Sequence, residues 1–350
     1  MMTDRLRQPG VLAALGAALL FGAGTPLAKL LLKSVDPWLL AGLLYLGSGL
    51  GLTLYRWLAR SPRVRLPRGE IVWFAGAIAA GGVAAPVLLM FGLVQMPGSG
   101  ASLLLNAEGV FTALLAWFVF KENFDRRIAL GMLAIVAGAA ILAWPEAMRF
   151  SGLMPALAIL GACFAWGIDN NLTRKVSLNE ATWIASVKGL VAGIVNLALA
   201  VQLGARMPPA LAVAGAMLIG LLAYGASLAM FVVALRHLGT ARTGAYFSVA
   251  PFCGALLALA LREPITPSLV YAGLLMAFGV WLHLSERHHH EHVHESLEHE
   301  HEHLHDGDPH HEHQHAFAVE TGTRHTHRHR HESLTHAHAH FPDAHHRHDH

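Results

Sequence analysis

Pro97–Phe120 reads PGSGASLLLNAEGVFTALLAWFVF, Lys121–Arg127 reads KENFDRR, and Ile128–Leu142 reads IALGMLAIVAGAAIL. An apolar run, a short charged hinge and a second apolar run follow one another. The same order returns later: GTARTGAYFSVAPFCGALLALAL over Gly239–Leu261, REPITP over Arg262–Pro267, then SLVYAGLLMAFGVWLHL over Ser268–Leu284. At an offset of about 141, Gly98 meets Gly239, Glu122 meets Glu263, and Gly138 meets Gly279; Gly131 meets Gly273 if one residue is inserted. A repeat of this length decides the architecture. Two homologous halves, each ending in helix, charged turn and helix, build one membrane body.

Working outward, composition agrees. The chain has 350 residues, is 54% hydrophobic and only 14% charged, with mean hydropathy +0.44. A water-soluble domain carries about 25% charge. The apolar runs, roughly 17–25 residues each, are long enough to cross a hydrocarbon core of about 30 Å. Ten spans are predicted, at about 11–32, 38–58, 71–94, 98–120, 128–144, 152–172, 181–203, 210–235, 240–261 and 267–285. Each must be helical, because lipid offers no partner to a free backbone group. The first span is too long for a cleaved signal peptide. Cys163 and Cys253 sit inside apolar runs and read as small packing residues, with no CxxC spacing.

Five spans per half is an odd number, so the second copy enters the membrane upside down. That arrangement places a substrate site at the repeat interface. The fold class expected is therefore an all-α integral membrane protein: ten transmembrane helices in a 5+5 inverted-topology repeat. Residues 1–145 form the first repeat, 146–286 the second, and 287–350 a disordered tail. Earlier parts of the halves match too: Phe21-Gly22 with Trp166-Gly167, and Gly47 and Gly51 with Gly189 and Gly193. The last two pairs have the GxxxG spacing that lets helices approach closely. Lys and Arg fall about three to one on the side of the N-terminus. The positive-inside rule then places both termini in the cytoplasm and the protein in the cytoplasmic (inner) membrane.

An ionisable group inside a span is costly and marks function by default. Glu108 lies midway along the fourth span between Asn106 and Thr112. It reads as a proton-coupling or amine-binding carboxylate, or as a structural carboxyl satisfied by a neighbouring helix. Lys188 shares a face of the seventh span with Asn196. It could pair with Glu108, anchor a substrate anion, or snorkel to the interface. Asp169, Asn170 and Asn171 precede Arg174 and Lys175 at the end of the sixth span, as a gate or a plain helix end; Trp166, Asn170 and Thr173 fall on one face. Arg242 and Tyr246 line one face of the ninth span, with Tyr246 a candidate pocket wall. Lys29 reads as an interface anchor, and Glu122 and Glu263 as structural punctuation. No GxSxG, P-loop or HExxH is present, so no enzyme is expected. Without a nucleotide-binding domain, transport would run on a gradient.

These residues resemble the EamA family of the drug/metabolite transporter superfamily. Phe21-Gly22 and Trp166-Gly167 carry the resemblance in the first helix of each half. Glu122, Gly131 and Gly138, then Glu263, Gly273 and Gly279, carry it in the last two. It covers about residues 10–285 and implies a ten-helix inverted repeat, cytoplasmic termini and export of metabolites, amino acids or drugs. The proline usual in the penultimate helix of each half stands at Pro251, but Val110 replaces it in the first. The basic residue common in the second helix is missing around Leu43, Leu44 and Tyr45. Glu108 and Lys188 are therefore not part of the general family pattern.

After Leu284 the composition changes. All histidines but His237 and His283 lie between His288 and His350. Neutral imidazole binds Ni, Zn, Co and Cu. The candidate metal ligands are His288, His289, His290, His292, His294, His299, His301, His303, His305, His310, His311, His313 and His315. Low aliphatic content predicts a disordered tail. Three functions stay open: a proton-coupled exporter of a small organic metabolite, amino acid or drug; a divalent metal-ion transporter with the tail as collector or sensor; or a non-transporting membrane anchor for a metal-binding tail. No cofactor is required under the first. The expected partners are the lipid bilayer, a small-molecule substrate and transition-metal ions, and no nucleic acid.

Overall fold

Prolines and short polar breaks punctuate the apolar runs, and helices form between them. The computed structural model describes residues 9–119, 126–143, 153–176 and 179–284, together with four short tail segments. The helices are α1 (Pro9–Leu31), α2 (Pro37–Leu58), α3 (Ile71–Ala77), α4 (Ala85–Gln95), α5 (Gly98–Leu104), α6 (Ala107–Phe118), α7 (Arg126–Ala143), α8 (Leu153–Val176), α9 (Ala181–Gln202), α10 (Ala210–Ile219), α11 (Ser227–Phe247), α12 (Ala250–Ala260) and α13 (Pro267–Leu284). Two π-helical segments, π1 (Ile78–Ala84) and π2 (Gly220–Ala226), join α3 to α4 and α10 to α11. Among the described residues, six apolar helical runs are long enough to cross a membrane, and the remaining apolar helices are shorter. The body is all-helical, as the sequence predicts.

The local chemistry repeats between the halves. Asp36 caps α2, accepting from the backbone N of Trp38 at 2.9 Å and of Leu39 at 3.4 Å, with Pro37 at the first helical position. Glu180 caps α9 in the same way, at 3.0 Å from Thr182 N and 3.1 Å from Trp183 N. The fourth predicted span is broken at Leu105–Asn106, between α5 and α6, and the ninth at Ser248–Val249, between α11 and α12. The helical run of α11 also doubles back. The rings of Phe231 and Phe247 are 4.9 Å apart, whereas sixteen residues of straight helix would separate them by about 24 Å.

Packing crosses the repeat boundary almost everywhere. α2 lies along α9, α7 along α13, α1 against α11 and α12, and α8 against α4 and α6. Glycines permit the closest approaches. A Cβ on Gly189 would come 2.5 Å from Gly49 N, and one on Gly279 2.5 Å from Gly131 O. The predicted GxxxG pairs divide their work: Gly189 and Gly193 meet Gly49 and Leu46 on α2, whereas Gly47 and Gly51 face Met217 and Leu221 of the eighth span.

Residues Arg287–His350 form a separate unit. The sequence reading expects disorder there, yet four described segments are strands: β1 (His290–His294) pairs antiparallel with β4 (Leu334–His338), and β2 (Leu297–Leu304) with β3 (Arg324–His331). The alternation EHEHEH in β2 has a strand's period of two. The register sets Glu298 opposite Arg330 and Glu300 opposite Arg328, and opposite charges stabilise facing positions. His288, His289, His305, His310, His311, His313 and His315 lie outside the described residues.

Candidate functional site

α6 and α8 bring Glu108 into the bundle and give it a partner. Glu108 Oε1 accepts from Asn170 Nδ2 at 2.8 Å, and Asn170 Nδ2 also reaches Thr112 Oγ1 at 3.2 Å. Asn171 Nδ2 donates to Thr112 O at 3.0 Å and Gly167 O at 2.9 Å. The fourth span of one half and the sixth span, the first of the other, are thus tied by amide side chains around a single carboxyl.

One residue along α8, Asp169 turns to α9. It is 4% exposed and forms an ion pair with Lys188, itself 2% exposed. Thr173 Oγ1 adds a bond to Asp169 Oδ1 at 2.9 Å, one turn away on the same helix. The snorkelling reading of Lys188 is corrected, because its ammonium is buried and its partner is Asp169. Asp169 is likewise no frayed helix end: α8 continues to Val176, nearly two turns further. Trp166, Asn170 and Thr173 do not act as one face; they meet π1, α6 and Asp169 respectively.

The same cluster rests on π1. Tyr45 Oη donates to Gly81 O at 2.6 Å, Trp166 Nε1 to the same oxygen at 3.0 Å, and Asn196 Nδ2 to Gly82 O at 3.0 Å. Among the described residues, Asn196 Oδ1 and Asn106 Oδ1 have no partner, while Asn106 Nδ2 bonds Leu103 O at 3.0 Å. An aromatic wall adjoins: Phe21 stands edge-on to Trp166 at 5.7 Å and to Tyr224 at 5.9 Å, and Tyr45 lies 5.2 Å from Tyr224.

One expected site residue lies elsewhere, and another is described only in its backbone. Tyr246 packs against the buried cluster of Val11, Ala13, Ala14, Ala234 and Leu238. Arg242 belongs to the α11 backbone, with its side chain outside the described residues. Lys29 donates from its ammonium to Leu93 O and, at 3.2 Å, to Val94 O, in the last turn of α4. Tyr45 and the Gly81-Gly82 pair were not singled out from sequence. A glycine pair five residues before Pro86 was the available signal, since such spots are where helices depart from α geometry. Within the membrane body, no three His, Cys, Asp or Glu among the described residues converge to hold a metal ion.

Buried ionisable side chains from three helices, at the crossing of two interlocked repeats of apolar helices, define a membrane transporter of small molecules. Comparison with known proteins says which kind. The chain belongs to the EamA-like transporter family, whose model matches residues 8–144 and 153–285, one repeat each. It is 27% identical over 294 residues to an uncharacterized transporter of Methanothermobacter thermautotrophicus, covering 78% of this chain and 85% of that protein. It is 29% identical over 176 residues to a probable amino-acid metabolite efflux pump of Salmonella typhimurium, covering 49% of this chain and 54% of the pump. A crystal structure matches the fold with a TM-score of 0.62 at 19% identity, over 79% of this chain and 96% of the other.

Proposed function

We propose that the protein is a proton-coupled exporter of a small organic solute, with amino acids the first class to test. It sits in the cytoplasmic membrane as ten spans in two inverted sets of five, with both termini in the cytoplasm. The observation that carries this reading is Glu108: a carboxyl inside the bundle, held across the repeat boundary by the neutral amide of Asn170. A carboxyl there can take a proton from one side and yield it to the other. Lys188 and Asp169 beside it supply a buried cation and anion. A zwitterionic solute offers one group for each sign, and the Salmonella relative's description points the same way.

The test is counterflow of labelled neutral amino acids in proteoliposomes under an imposed pH gradient. Wild type should accumulate label, and Glu108→Gln should abolish the pH-driven part while staying folded in the membrane. Undiminished coupled flux in that variant returns Glu108 to a structural role.

A second reading concerns the tail, because its histidines recur every other residue through β1, β2 and β3. The tail acts as a collector or sensor of Ni, Zn, Co or Cu beside the transporter, or feeds such ions to it. Imidazoles with a reference pKa near 6.5 are mostly free to coordinate at pH 7.5, and protons displace metal near pH 5. Calorimetry with Ni or Zn should give several sites on the full chain at pH 7.5 and none near pH 5. The chain ended after Glu286 should give no such heat. Equal heats with and without the tail end this reading; loss of metal flux with no effect on amino acids favours metal transport outright.

A further inference from the structure

π1 and π2 open at Ile78 and Gly220, an offset of 142 residues that matches the repeat. In each, the backbone N–H after the segment reaches back five residues: Ala85 to Ala80 O, and Ser227 to Leu222 O. A wide turn of this kind holds one residue more than an α-turn, and such turns concentrate at functional sites. The two copies are not held alike. Gly81 O of π1 receives two side-chain donors, Tyr45 Oη and Trp166 Nε1. The residue matching Trp166 in the other half is Phe21, which packs edge-on to Tyr224 of π2 and has no N–H to give. π1 also carries the charged pair. A Cβ on Gly81 would fall on the Asp169 carboxylate, so Asp169 rests directly against the backbone that Tyr45 and Trp166 hold.

We propose that Tyr45 and Trp166 are positioning residues of the transport cycle. Their bonds to Gly81 O keep π1 in its wide form beneath the Asp169–Lys188 pair, and π1 tightens toward α-helix when they release. Absorbing the extra residue turns α4 by about 100° and shifts it by about 1.5 Å relative to α3. That motion takes Gly81 away from Asp169 and frees the carboxylate and Lys188 for a solute. The inference rests on the polar cluster being the transport site, so its test reads the backbone as well as flux.

Hydrogen exchange on the full chain in nanodiscs supplies the first measurement, for wild type, Tyr45→Phe and Trp166→Phe. Each variant removes one donor and keeps an aromatic ring. Exchange over residues 78–90 should quicken about fivefold, the scale of one neutral hydrogen bond, because each passage between the wide and the tight form breaks the backbone bonds of the segment and a released π1 makes that passage more often, with residues 220–230 unchanged. Both variants should lower the maximal rate of amino-acid counterflow, because return to the wide form is less favourable, and lower the half-saturating concentration by up to about fivefold, because the form that binds solute is more populated. Deleting Ala80 removes the extra residue and preserves the register on either side; that protein should stay folded, exchange slowly over the segment and carry no flux. Unchanged exchange in both Phe variants, an equal rise in π2, or wild-type flux after deletion of Ala80 would each overturn the proposal. A wild type that moves no amino acid defeats the solute assignment instead, and the exchange contrast still decides whether Tyr45 and Trp166 hold π1.

Discussion

Lys188 and Asp169 share one low-dielectric site, and neither can be changed alone without leaving the other's charge uncompensated. Removing one partner of a buried pair costs about 3–5 kcal/mol, whereas replacing both by neutral groups is often near neutral. Lys188→Met and Asp169→Asn should each lower the melting temperature in detergent sharply, and the double variant should recover most of the loss. Additive losses in the double variant would show that the two groups do not act as a pair. The sequence showed that Lys188 and Asn196 share a face and that Asp169 stands near a helix end. It could not pair residues nineteen apart, because the turn between α8 and α9 and the rotation of each helix decide which facets meet.

Between elements, glycine position separates crossings from open space. Gly189 faces Gly49 backbone to backbone, whereas Gly109 has nothing within 4 Å of where a Cβ would stand. Gly189→Ala should destabilise the protein by about 1–3 kcal/mol through overpacking, and Gly109→Ala should be neutral or slightly favourable, since alanine is the better helix former. Detergent melts of the two variants give the comparison, and equal effects would contradict the crossing. The charged turn before α13 is more than punctuation. Arg262 takes φ +70° at the end of α12, and Glu263 then accepts from Gly98 N and Ser99 N at 2.8 Å each, closing the first turn of α5 in the other half. Glu263→Ala should cost about 1–2 kcal/mol, the scale of a lost helix cap. A melt unchanged by that substitution would mean that water replaces the carboxylate without loss. The repeat sets Glu122 in the matching place, outside the described residues.

At the scale of the molecule, the halves are repeats in sequence but not separate bodies in space, since each helix packs mainly on the other half. Expression of residues 1–145 alone would leave the facing surfaces of α2 and α7 without their partners. Topology tests the proposed arrangement, because five spans per repeat would invert the second copy. Reporter fusions after Leu58, Phe120 and His350 should all report the cytoplasm. A periplasmic signal at His350 would refute ten spans with cytoplasmic termini.

The sequence alone determined the all-helical membrane body, the repeat and the places where charge is out of keeping with lipid. Hydrophobic run length, a 141-residue offset and the cost of a buried ionisable group are all properties of the linear chain. It also singled out Glu108, Lys188, Asp169 and Asn170 before any partner was visible. Only the tertiary structure decided that Glu108 meets Asn170, that Lys188 meets Asp169, and that Tyr45 and Trp166 converge on one carbonyl of a π-turn. Those contacts depend on the rotation of each helix about its axis and on where a single extra residue is absorbed. Both are settled by packing between distant segments, and composition and periodicity carry no record of either.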